Sequence, residues 1–335
     1  MEERNEHRRG PSIVAIGGGH GLSALLRGLK RRTRDLTAIV TVSDDGGGSG
    51  VLRTDLGMPP PGDIRSCMEA LANTEPLMTE LLSYRFPAGS GNLTGQAFGN
   101  LLLAALNGIS GSFDEAVDKM SQVLAITGRI LPVTNADVTL EATFENGAAV
   151  RGESKIAAFK KAQDCRIRQV RLLPQRPAAL PATLEAIRRA DLILLGPGSL
   201  YTSVIPNLLV EGVADAIRES AGTKVYIANI MTQDGETEGM TLSDHVSALL
   251  AHSAPDLIDL CLVNSQPVPP DMARRYRAEG AEPLQVDREK VEKLGVEVVG
   301  RPTVSTGTLY ARHDPDRLAR AVMELYEERA ETRIF

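Results

Sequence analysis

Two apolar segments near the N-terminus each run into a glycine-rich loop, and this repeated pattern limits the fold more than any other feature of the sequence. Residues 13–16 precede the loop 17–23, and residues 38–42 precede the loop 43–50. Leucines at three- and four-residue spacing over residues 22–29 then predict an amphipathic helix. Strand, glycine loop, helix and strand in this order open a parallel βαβ unit, which predicts an α/β fold.

Both loops are typical of sites that bind phosphate groups. Glycine lets the backbone approach an anion closely, and the helix after the loop offers unpaired N–H groups and the positive end of its dipole. The residues concerned are Gly17, Gly18, Gly19, His20 and Gly21 in the first loop and Asp44, Asp45, Gly46 and Gly47 in the second. Tight packing of a strand end against a helix would use the same glycines and is the structural alternative.

Two strands predicted in the second half of the chain, residues 191–195 and 224–229, also end in or lead into polar or glycine residues. These are Gly196, Gly198, Ser199, Asn229 and Thr232. The carboxyl ends of parallel strands meet at one edge of a sheet, and ligands bind there at the point where the strand order reverses. The sequence therefore predicts one continuous groove at this edge, formed by the ends of the first two strands and of the strand over residues 192–195.

Three aspartates in this region carry the candidate chemistry. Asp44, Asp45 and Asp63 are the candidate catalytic residues, and Asp45 and Asp63 are the candidate ligands of a magnesium ion. Magnesium keeps several waters and takes few protein carboxylates, so we expect it to bind only together with a diphosphate. Asp63 follows the proline-rich segment 59–61, and the alternative is that it caps the helix that begins there.

The middle of the chain carries two features outside the βαβ pattern. Residues 96–106 form a helical segment that is apolar nearly all round, and its amides Gln96 and Asn100 either pack internally or face the ligand. Residues 138–152 alternate in polarity around an Asn-Gly pair, which predicts a β-hairpin insertion. We expect this hairpin to lie at an edge of the sheet.

Composition excludes several classes of protein. The chain has 335 residues, a formal net charge of -6 and three cysteines. The negative charge argues against nucleic acid as a partner. Cysteines without a CxxC pair fit a reducing compartment, so we expect the protein to be located in the cytoplasm. No apolar run approaches the roughly 20 residues that cross a membrane. The charged start predicts a disordered tail over residues 1–11, and residues 12–330 are expected to form a single large α/β domain.

Six segments, occurring in the same order, resemble the bacterial gluconeogenesis factor family, called YvcK-like. They are residues 17–23, 42–47, 60–65, 99–102, 195–203 and 229–233. That family is a distant relative of 2-phospho-L-lactate transferase, which moves a phospholactyl group from a nucleotide-activated donor. The resemblance covers residues 12–329 and implies a Rossmann-like, three-layer α/β/α fold with a mostly parallel sheet. It also implies a cytoplasmic protein that binds a UDP-sugar such as UDP-N-acetylglucosamine.

By the same resemblance, Tyr276 and Arg312 match family positions implicated in contacts with the UDP-sugar. Tyrosine can stack on uracil, and a guanidinium can bind a pyrophosphate through two N–H groups. Without the resemblance, both Tyr276 and Arg312 would be interpreted as surface side chains. Three positions depart from the family. His20 stands where Thr is usual, Gly48 where Ser is frequent and Gln96 where His is typical, and the last change puts in doubt any proton transfer attributed to that His.

Two functions from different classes follow from these observations. A regulatory protein would bind UDP-N-acetylglucosamine without a reaction and link carbon metabolism to cell shape and cell-wall synthesis, with a cell-wall or metabolic protein as partner. A transferase similar to 2-phospho-L-lactate transferase would use a nucleoside diphosphate-activated donor, with aspartates holding magnesium. No evident base lies beside the aspartates, which favours the regulatory protein.

A weaker alternative is NAD binding. Residues 19–24 fit the looser dinucleotide fingerprint, and Asp44 or Asp45 follows at the distance of a ribose-binding acid. For the whole chain we also expect a homo-oligomer.

Overall fold

A computed structural model describes residues 10–305 and 310–334, without the side chains of residues 332–334. Its central sheet consists of the parallel strands β1 Ile13–Gly17, β2 Leu36–Val40, β3 Arg129–Pro132, β7 Leu192–Leu195, β8 Thr223–Ile227, β9 Leu260–Asn264 and β10 Glu297–Arg301. The order across the sheet is β10-β9-β8-β7-β1-β2-β3. The chain first builds the sheet from β1 towards β3 and then returns to the other side of β1, so the strand order reverses between β1 and β7.

Helices connect the strands and cover both faces of the sheet. In chain order they are α1 Gly19–Leu29, α2 Gly47–Leu56, α3 Gly62–Leu71, α4 Pro76–Ser83, α5 Phe98–Gly108, α6 Phe113–Val123, α7 Glu153–Gln163, α8 Pro181–Arg189, α9 Ile205–Leu208, α10 Val213–Glu219, α11 Leu242–Ala251, α12 Pro270–Ala278, α13 Arg288–Lys293 and α14 Pro315–Ile334. α1 packs with α3 and α14, and α10 packs with α8 and α9. The right-handed crossovers on the two sides of the reversal put these groups on opposite faces, which gives the predicted three-layer α/β fold.

The strands next to the reversal are buried along their whole length. Every residue of β1, β2 and β7 is buried, as expected for central strands covered on both faces. α1 packs closely against α14, because Gly28 faces the backbone carbonyl of Pro315 at the start of α14, where a Cβ atom would overlap it. The helix that follows the first glycine loop is thus held by a second helix as well as by the sheet.

The predicted hairpin is present, but its expected place was wrong. It consists of β4 Thr139–Phe144 and β5 Ala149–Arg151, joined by a turn at residues 145–147. With β6 Ile167–Leu173 it forms a separate antiparallel sheet in the order β5-β4-β6, and it does not extend the edge of the central sheet. The buried Glu141 of β4 pairs with arginines of both neighbouring strands, which holds the small sheet together.

The ends of the chain are described in part. Residues 1–9 of the expected tail lie outside the described residues, whereas Pro11 is buried and its carbonyl accepts a hydrogen bond from Thr33 Oγ1 at 2.8 Å. The division into a tail and one domain over residues 12–330 stays a prediction. Across the described residues, every helix is too short or too polar to cross a membrane.

Candidate functional site

A pocket of about 850 Å³ opens at the carboxyl edge of the central sheet, at the reversal of strand order. The loops after β1, β2, β7 and β8 line it, together with residues of α7 and of the C-terminal third of the chain. Its lining includes Gly18, Gly19, His20, Gly21, Asp44, Asp63, Gly198, Ser199, Asn229, Thr232, Tyr276 and Arg312. One pocket thus brings together residues from all three glycine loops and the two residues singled out by the family resemblance.

Six predicted site residues are not part of this lining. They are Gly17, Asp45, Gly46, Gly47, Asn100 and Gly196. Asn100 is buried in α5, where its Oδ1 accepts a hydrogen bond from Arg65 Nε at 2.9 Å. Gln96 lies before the helix with its Oε1 turned towards Gly48, so the two amides do not bond to each other. Asn100 therefore has the packing role that the sequence left open.

The first glycine loop is filled by a carboxylate of the chain itself. Gly18 has an extended backbone, and a Cβ atom there would overlap Asp63 Oδ2 and lie 2.9 Å from Thr41 Cγ2. The N–H of Gly19, at the start of α1, donates a hydrogen bond to the Asp63 carboxylate. Asp63 thus binds the N-terminus of α1, and it does not cap its own helix α3. An anionic ligand that approaches this loop meets a carboxyl group.

Asp44 and Asp45 are adjacent in sequence but have different surroundings. Asp44 faces the pocket, and its Oδ1 accepts a hydrogen bond from the N–H of Gly46 at 2.8 Å. Asp45 Oδ1 accepts a hydrogen bond from the N–H of Ser154 at 2.8 Å and so binds the first turn of α7. The structure therefore assigns the pocket carboxylate to Asp44, whereas Asp45 joins the second glycine loop to the insertion.

Three carboxyl groups face one another on the acidic side of the pocket. Burial, followed by the charge of Asp44, raises the pKa of Asp63 to about 7. Burial also raises the pKa of Asp44, and burial with the charges of Asp44 and Asp63 raises the pKa of Glu153 well above its ordinary value. Neighbouring like charges disfavour the ionised form of each group. This side of the pocket is suited to a cation or to donors, and it repels a bare phosphate.

The loops after β7 and β8 are hydrogen-bonded to each other. The side-chain amide of Asn229 accepts from the N–H of Gly198 at 3.2 Å and donates to its carbonyl at 2.9 Å. Ser199 Oγ donates to Gln233 Oε1 at 2.7 Å. Thr232 bonds through its backbone N–H and its hydroxyl to Glu282. Ser199, Asn229 and Thr232, expected to contact the ligand, thus hold the pocket wall in shape by bonds within the chain.

Glu236 also connects the loops after β7 and β8. Its Oε1 accepts the N–H groups of Tyr201 at 2.8 Å and Thr202 at 2.9 Å, at the start of the π-helical turn over residues 200–204. Its Oε2 has no hydrogen-bond partner among the described residues. Burial raises the pKa of Glu236 to about 7. A buried carboxyl group with one unpaired oxygen is more stable when protonated.

This arrangement gives a pH dependence of stability. Glu236 keeps its proton in the folded protein up to about pH 7, whereas the unfolded chain releases it near 4.5. The unfolded state thus binds fewer protons, so the free energy of unfolding should fall as the pH rises from about 4.5 to 7. We expect Glu236→Gln to reduce this fall by about 2 kcal/mol in urea titrations. Glu185→Gln, at an exposed position of α8, is the control and should leave the slope unchanged; equal slopes for both variants would contradict the assignment.

The other end of the pocket is aromatic and cationic. Tyr276 of α12 stacks edge-on against Tyr310 with a centroid distance of 5.9 Å, and the guanidinium carbon of Arg312 lies 5.5 Å from the centroid of the Tyr310 ring. The hydroxyl of Tyr276 donates to the carbonyl of Ala311 at 3.4 Å. Tyr276 and Arg312, far apart in sequence, therefore form one wall.

A buried histidine fixes this wall to the sheet. His313 Nε2 lies 3.0 Å from the carbonyl oxygen of Ala228 at the end of β8, so Nε2 carries the proton and donates it. Its Nδ1 lies 3.0 Å from Thr303 Oγ1, whose hydroxyl donates to it. Burial lowers the pKa of His313 to about 4, which keeps the ring neutral. His20, on the first loop, also has a lowered pKa, because of its removal from water and then the charge of Arg312.

Several lining residues were not predicted from the sequence. They include Glu153, Lys161, Ser203, Gln233, Asp234 and His313. Glu153 and Lys161 belong to α7, which follows the hairpin insertion. α7 is held to the loop after β8 by ion pairs from Lys161 to Asp234 and from Lys160 to Glu238. No local pattern in the sequence places an insertion over the edge of a sheet to which it is not hydrogen-bonded, so only the fold reveals this wall.

A family model described as 2-phospho-L-lactate transferase CofD matches residues 13–304. The chain belongs to this family. A putative gluconeogenesis factor from Thermoanaerobacterium thermosulfurigenes is 51% identical over 318 residues, which cover 95% of this chain and 98% of that protein. The gluconeogenesis factor of Bacillus subtilis (strain 168) is 46% identical over 318 residues, which cover 95% and 99%.

A solved structure supports the same relation. A protein from Bacillus halodurans with a known crystal structure is 44% identical in sequence to this chain. The two structures superpose with a TM-score of 0.90, and the match covers 94% of this chain and 100% of the Bacillus halodurans chain. The resemblance carried by the six glycine-rich and polar segments is thereby confirmed at the level of the family. Similarity over nearly the whole length of these relatives includes the hairpin insertion as well as the glycine loops.

Proposed function

We propose that the protein binds UDP-N-acetylglucosamine, or a closely related UDP-sugar, in this pocket and acts as a regulator that links carbon metabolism to cell shape and cell-wall synthesis. The observation that carries this proposal is the division of one pocket into an aromatic and cationic end at Tyr276 and Arg312 and an acidic end at Asp44 and Asp63. A UDP-sugar has a planar base, a diphosphate and a polar sugar. Such a ligand needs both aromatic or cationic contacts and acidic contacts within one cavity.

The aromatic end suits the nucleotide. Tyr276 offers a ring for stacking on uracil, and Arg312 offers N–H groups to the adjacent pyrophosphate. The tethering of the neighbouring His313 to Ala228 keeps the position of Arg312 constant, which lowers the entropic cost of binding. The diphosphate would then extend towards the first glycine loop and the acidic end.

A magnesium ion fits the acidic end. Asp44 and Asp63 are oxygen donors that face the pocket and repel each other, and a divalent cation would relieve this repulsion. Across the described residues, no group of three or more metal-binding side chains is arranged to hold an ion alone. Two carboxylates with water and phosphate oxygens match the coordination that magnesium prefers. When bound, the ion would neutralise the diphosphate. We propose Asp44 as the metal ligand in place of Asp45, because Asp45 binds the first turn of α7.

A regulatory role accounts for a pocket whose described lining holds no activated nucleophile. The amide and hydroxyl side chains of Asn229, Ser199 and Thr232 are bonded within the chain. Occupation of the pocket would alter the loops that form its rim and so alter the surface offered to a cell-wall or metabolic protein. We place this role in the cytoplasm.

Calorimetric titration with UDP-N-acetylglucosamine tests the binding. We expect Arg312→Ala to weaken it by roughly 10- to 100-fold, because a charge-assisted contact with the pyrophosphate is lost. Arg274→Ala is the matched control, since Arg274 lies on α12 in an exposed ion pair with Asp271 and does not line the pocket. Equal affinities of wild type and Arg312→Ala would refute the contact, and tighter binding of NAD than of the UDP-sugar would refute the ligand class.

A transferase is the second candidate, and one observation favours it. Asp63, with its pKa raised to about 7, has the affinity for protons that suits a general base at neutral pH. It would take the proton of an acceptor hydroxyl while that oxygen attacks the donor phosphorus and a nucleoside monophosphate leaves. Phosphorus NMR of UDP-N-acetylglucosamine with magnesium and a cell extract separates the two functions. The regulatory proposal requires an unchanged spectrum relative to extract alone, whereas protein-dependent release of UMP would establish the transferase.

A further inference from the structure

The charged side chains that line the pocket are mostly acidic. Five carboxyl groups face the pocket in the described part of the chain, whereas two side chains of this lining, Lys161 and Arg312, are positively charged at neutral pH. The five carboxyl groups belong to Asp44, Asp63, Glu153, Asp234 and Glu279. Each phosphate of a UDP-sugar carries a negative charge, and an anion is stable beside carboxylates only where cations compensate for them. Besides Arg312, Lys161 is therefore the side chain of the lining that suits a phosphate.

The packing of α7 against the turn after β8 places Lys161 at the pocket. Lys160 is buried and forms an ion pair with Glu238 of this turn. Gly235 of the same turn has a φ of +83°, and a Cβ atom there would lie 3.1 Å from the carbonyl oxygen of Ala157, so the turn and the helix are in close contact. Successive side chains of a helix are about 100° apart. Because Lys160 points into the protein, Lys161 lies on the neighbouring side of α7 and lines the pocket.

The ammonium group of Lys161 is paired and still accessible. It forms an ion pair with Asp234, and the two side chains are 51% and 32% exposed. The hydrogen bond to Asp234 raises the pKa of Lys161, so the ammonium group keeps its charge. Asp234 is its only ion-pair partner among the described residues. Since an ammonium group has three N–H donors, Lys161 can bond to Asp234 and to a second oxygen atom at the same time.

Lys161 lies at the same end of the pocket as Tyr276. Its partner Asp234 packs against Gly280, where a Cβ atom would lie 3.1 Å from Asp234 Oδ1. Gly280 follows α12, and Tyr276 lies about one helical turn before it. Arg312 belongs to the wall that Tyr276 forms. A diphosphate next to a base stacked on Tyr276 would therefore have two cations near it.

We propose that Lys161 is a second phosphate-binding residue of this pocket, with its ammonium group donating to a phosphate oxygen of the ligand while Asp234 holds the side chain in place. This role rests on the proposed function, since it is a contact with the diphosphate of the UDP-sugar. Lys161 belongs to α7, the helix that follows the hairpin insertion. The insertion thus takes part in ligand binding directly, and occupation of the pocket acts on the position of α7.

A double-mutant cycle tests the contact, with calorimetric titration of UDP-N-acetylglucosamine as the measurement. Lys161→Met should weaken binding by roughly tenfold, because a charge-assisted hydrogen bond is lost. The same loss would follow if Lys161 only neutralised Asp234, so the decisive comparison is made in Asp234→Asn, which has no carboxylate to neutralise at that position. There, adding Lys161→Met should again weaken binding by roughly tenfold. Equal affinities of Asp234→Asn and the double variant would overturn the proposal.

Lys155→Met is the matched control. Lys155 is exposed on the first turn of α7 and does not line the pocket, so this variant removes the same charge from the same helix. We expect it to bind the UDP-sugar as wild type does. A loss as large as that of Lys161→Met would mean that the overall charge of α7, and no contact of Lys161, acts on the ligand, which would also overturn the proposal.

The wild type separates a failure of this contact from a failure of the proposed function. If wild type and Lys161→Met bind the UDP-sugar equally well, the contact is wrong and the ligand class stands. If wild type does not bind it, the proposed function is wrong and the contact falls with it. Lys161→Met should melt at the temperature of wild type, because an exposed ion pair contributes little to stability, so a loss of affinity reports on the pocket.

Discussion

Replacement of Asp44 by Asn should abolish the magnesium-dependent part of UDP-sugar binding. Asp44 faces the pocket together with Asp63, and the change removes a charge and a metal-binding oxygen while keeping Oδ1 as acceptor for the N–H of Gly46. Titrations with magnesium should show affinity lower than wild type by at least roughly tenfold. Titrations without magnesium should show affinity equal to or above wild type, because one charge that repels the diphosphate is gone.

Asp45→Asn is the matched control for this experiment. The two positions are adjacent, and the change in charge is the same. Asp45 binds the N–H of Ser154 and does not line the pocket, so Asp45→Asn should keep the magnesium dependence of wild type. If instead Asp45→Asn loses that dependence and Asp44→Asn keeps it, the proposed metal site at Asp44 and Asp63 is wrong. Improved binding by Asp44→Asn in the presence of magnesium would show that no cation acts between Asp44 and the diphosphate.

Gly21→Ala should destabilise the protein and weaken ligand binding together. A Cβ atom at Gly21 would lie 2.5 Å from the carbonyl oxygen of Pro197 and 3.1 Å from the nitrogen of Gly198, both backbone atoms that cannot rotate away. The first and third glycine loops would have to separate. We expect the free energy of unfolding to fall by about 1 to 3 kcal/mol in chemical denaturation. UDP-sugar affinity should fall as well, because both loops line the pocket.

The matched control for this variant is Gly108→Ala. Gly108 is the last residue of α5, and a Cβ atom there would have no neighbour within 4 Å. Alanine is favoured over glycine in a helix, so this variant should be as stable as wild type or more stable by about 0.4 to 1 kcal/mol. A stable, fully binding Gly21→Ala would mean that the contact between the two loops does not shape the pocket.

The sequence predicted the architecture well because local patterns carry it. Buried strands ending in glycine loops, followed by helices with apolar residues three and four apart, indicated a parallel α/β sheet, and this is the sheet observed. The Asn-Gly pair indicated the hairpin of β4 and β5. β3 and β10 were not predicted, since their short runs carry proline, glycine or charged residues.

The orientation of single side chains was less predictable. Ser199 and Asn229 were expected to contact the ligand because polar residues follow buried strands. Their partners, Gln233 and Gly198, are 34 and 31 residues away along the chain and use the same hydrogen-bonding groups that a ligand would use. The local sequence of either loop does not indicate that the two loops are hydrogen-bonded to each other.

By itself the sequence determined the parallel α/β arrangement of most strands and loops, the family and the edge of the sheet at which the candidate site lies. The periodicity of apolar residues and the position of glycines depend on near neighbours along the chain, so they can be read from it. Only the tertiary structure decided between Asp44 and Asp45, brought Glu153 into the pocket and joined Tyr276 to Arg312. Asp45 turns away because of Ser154, 109 residues later, and a loop side chain points wherever such distant partners stabilise it.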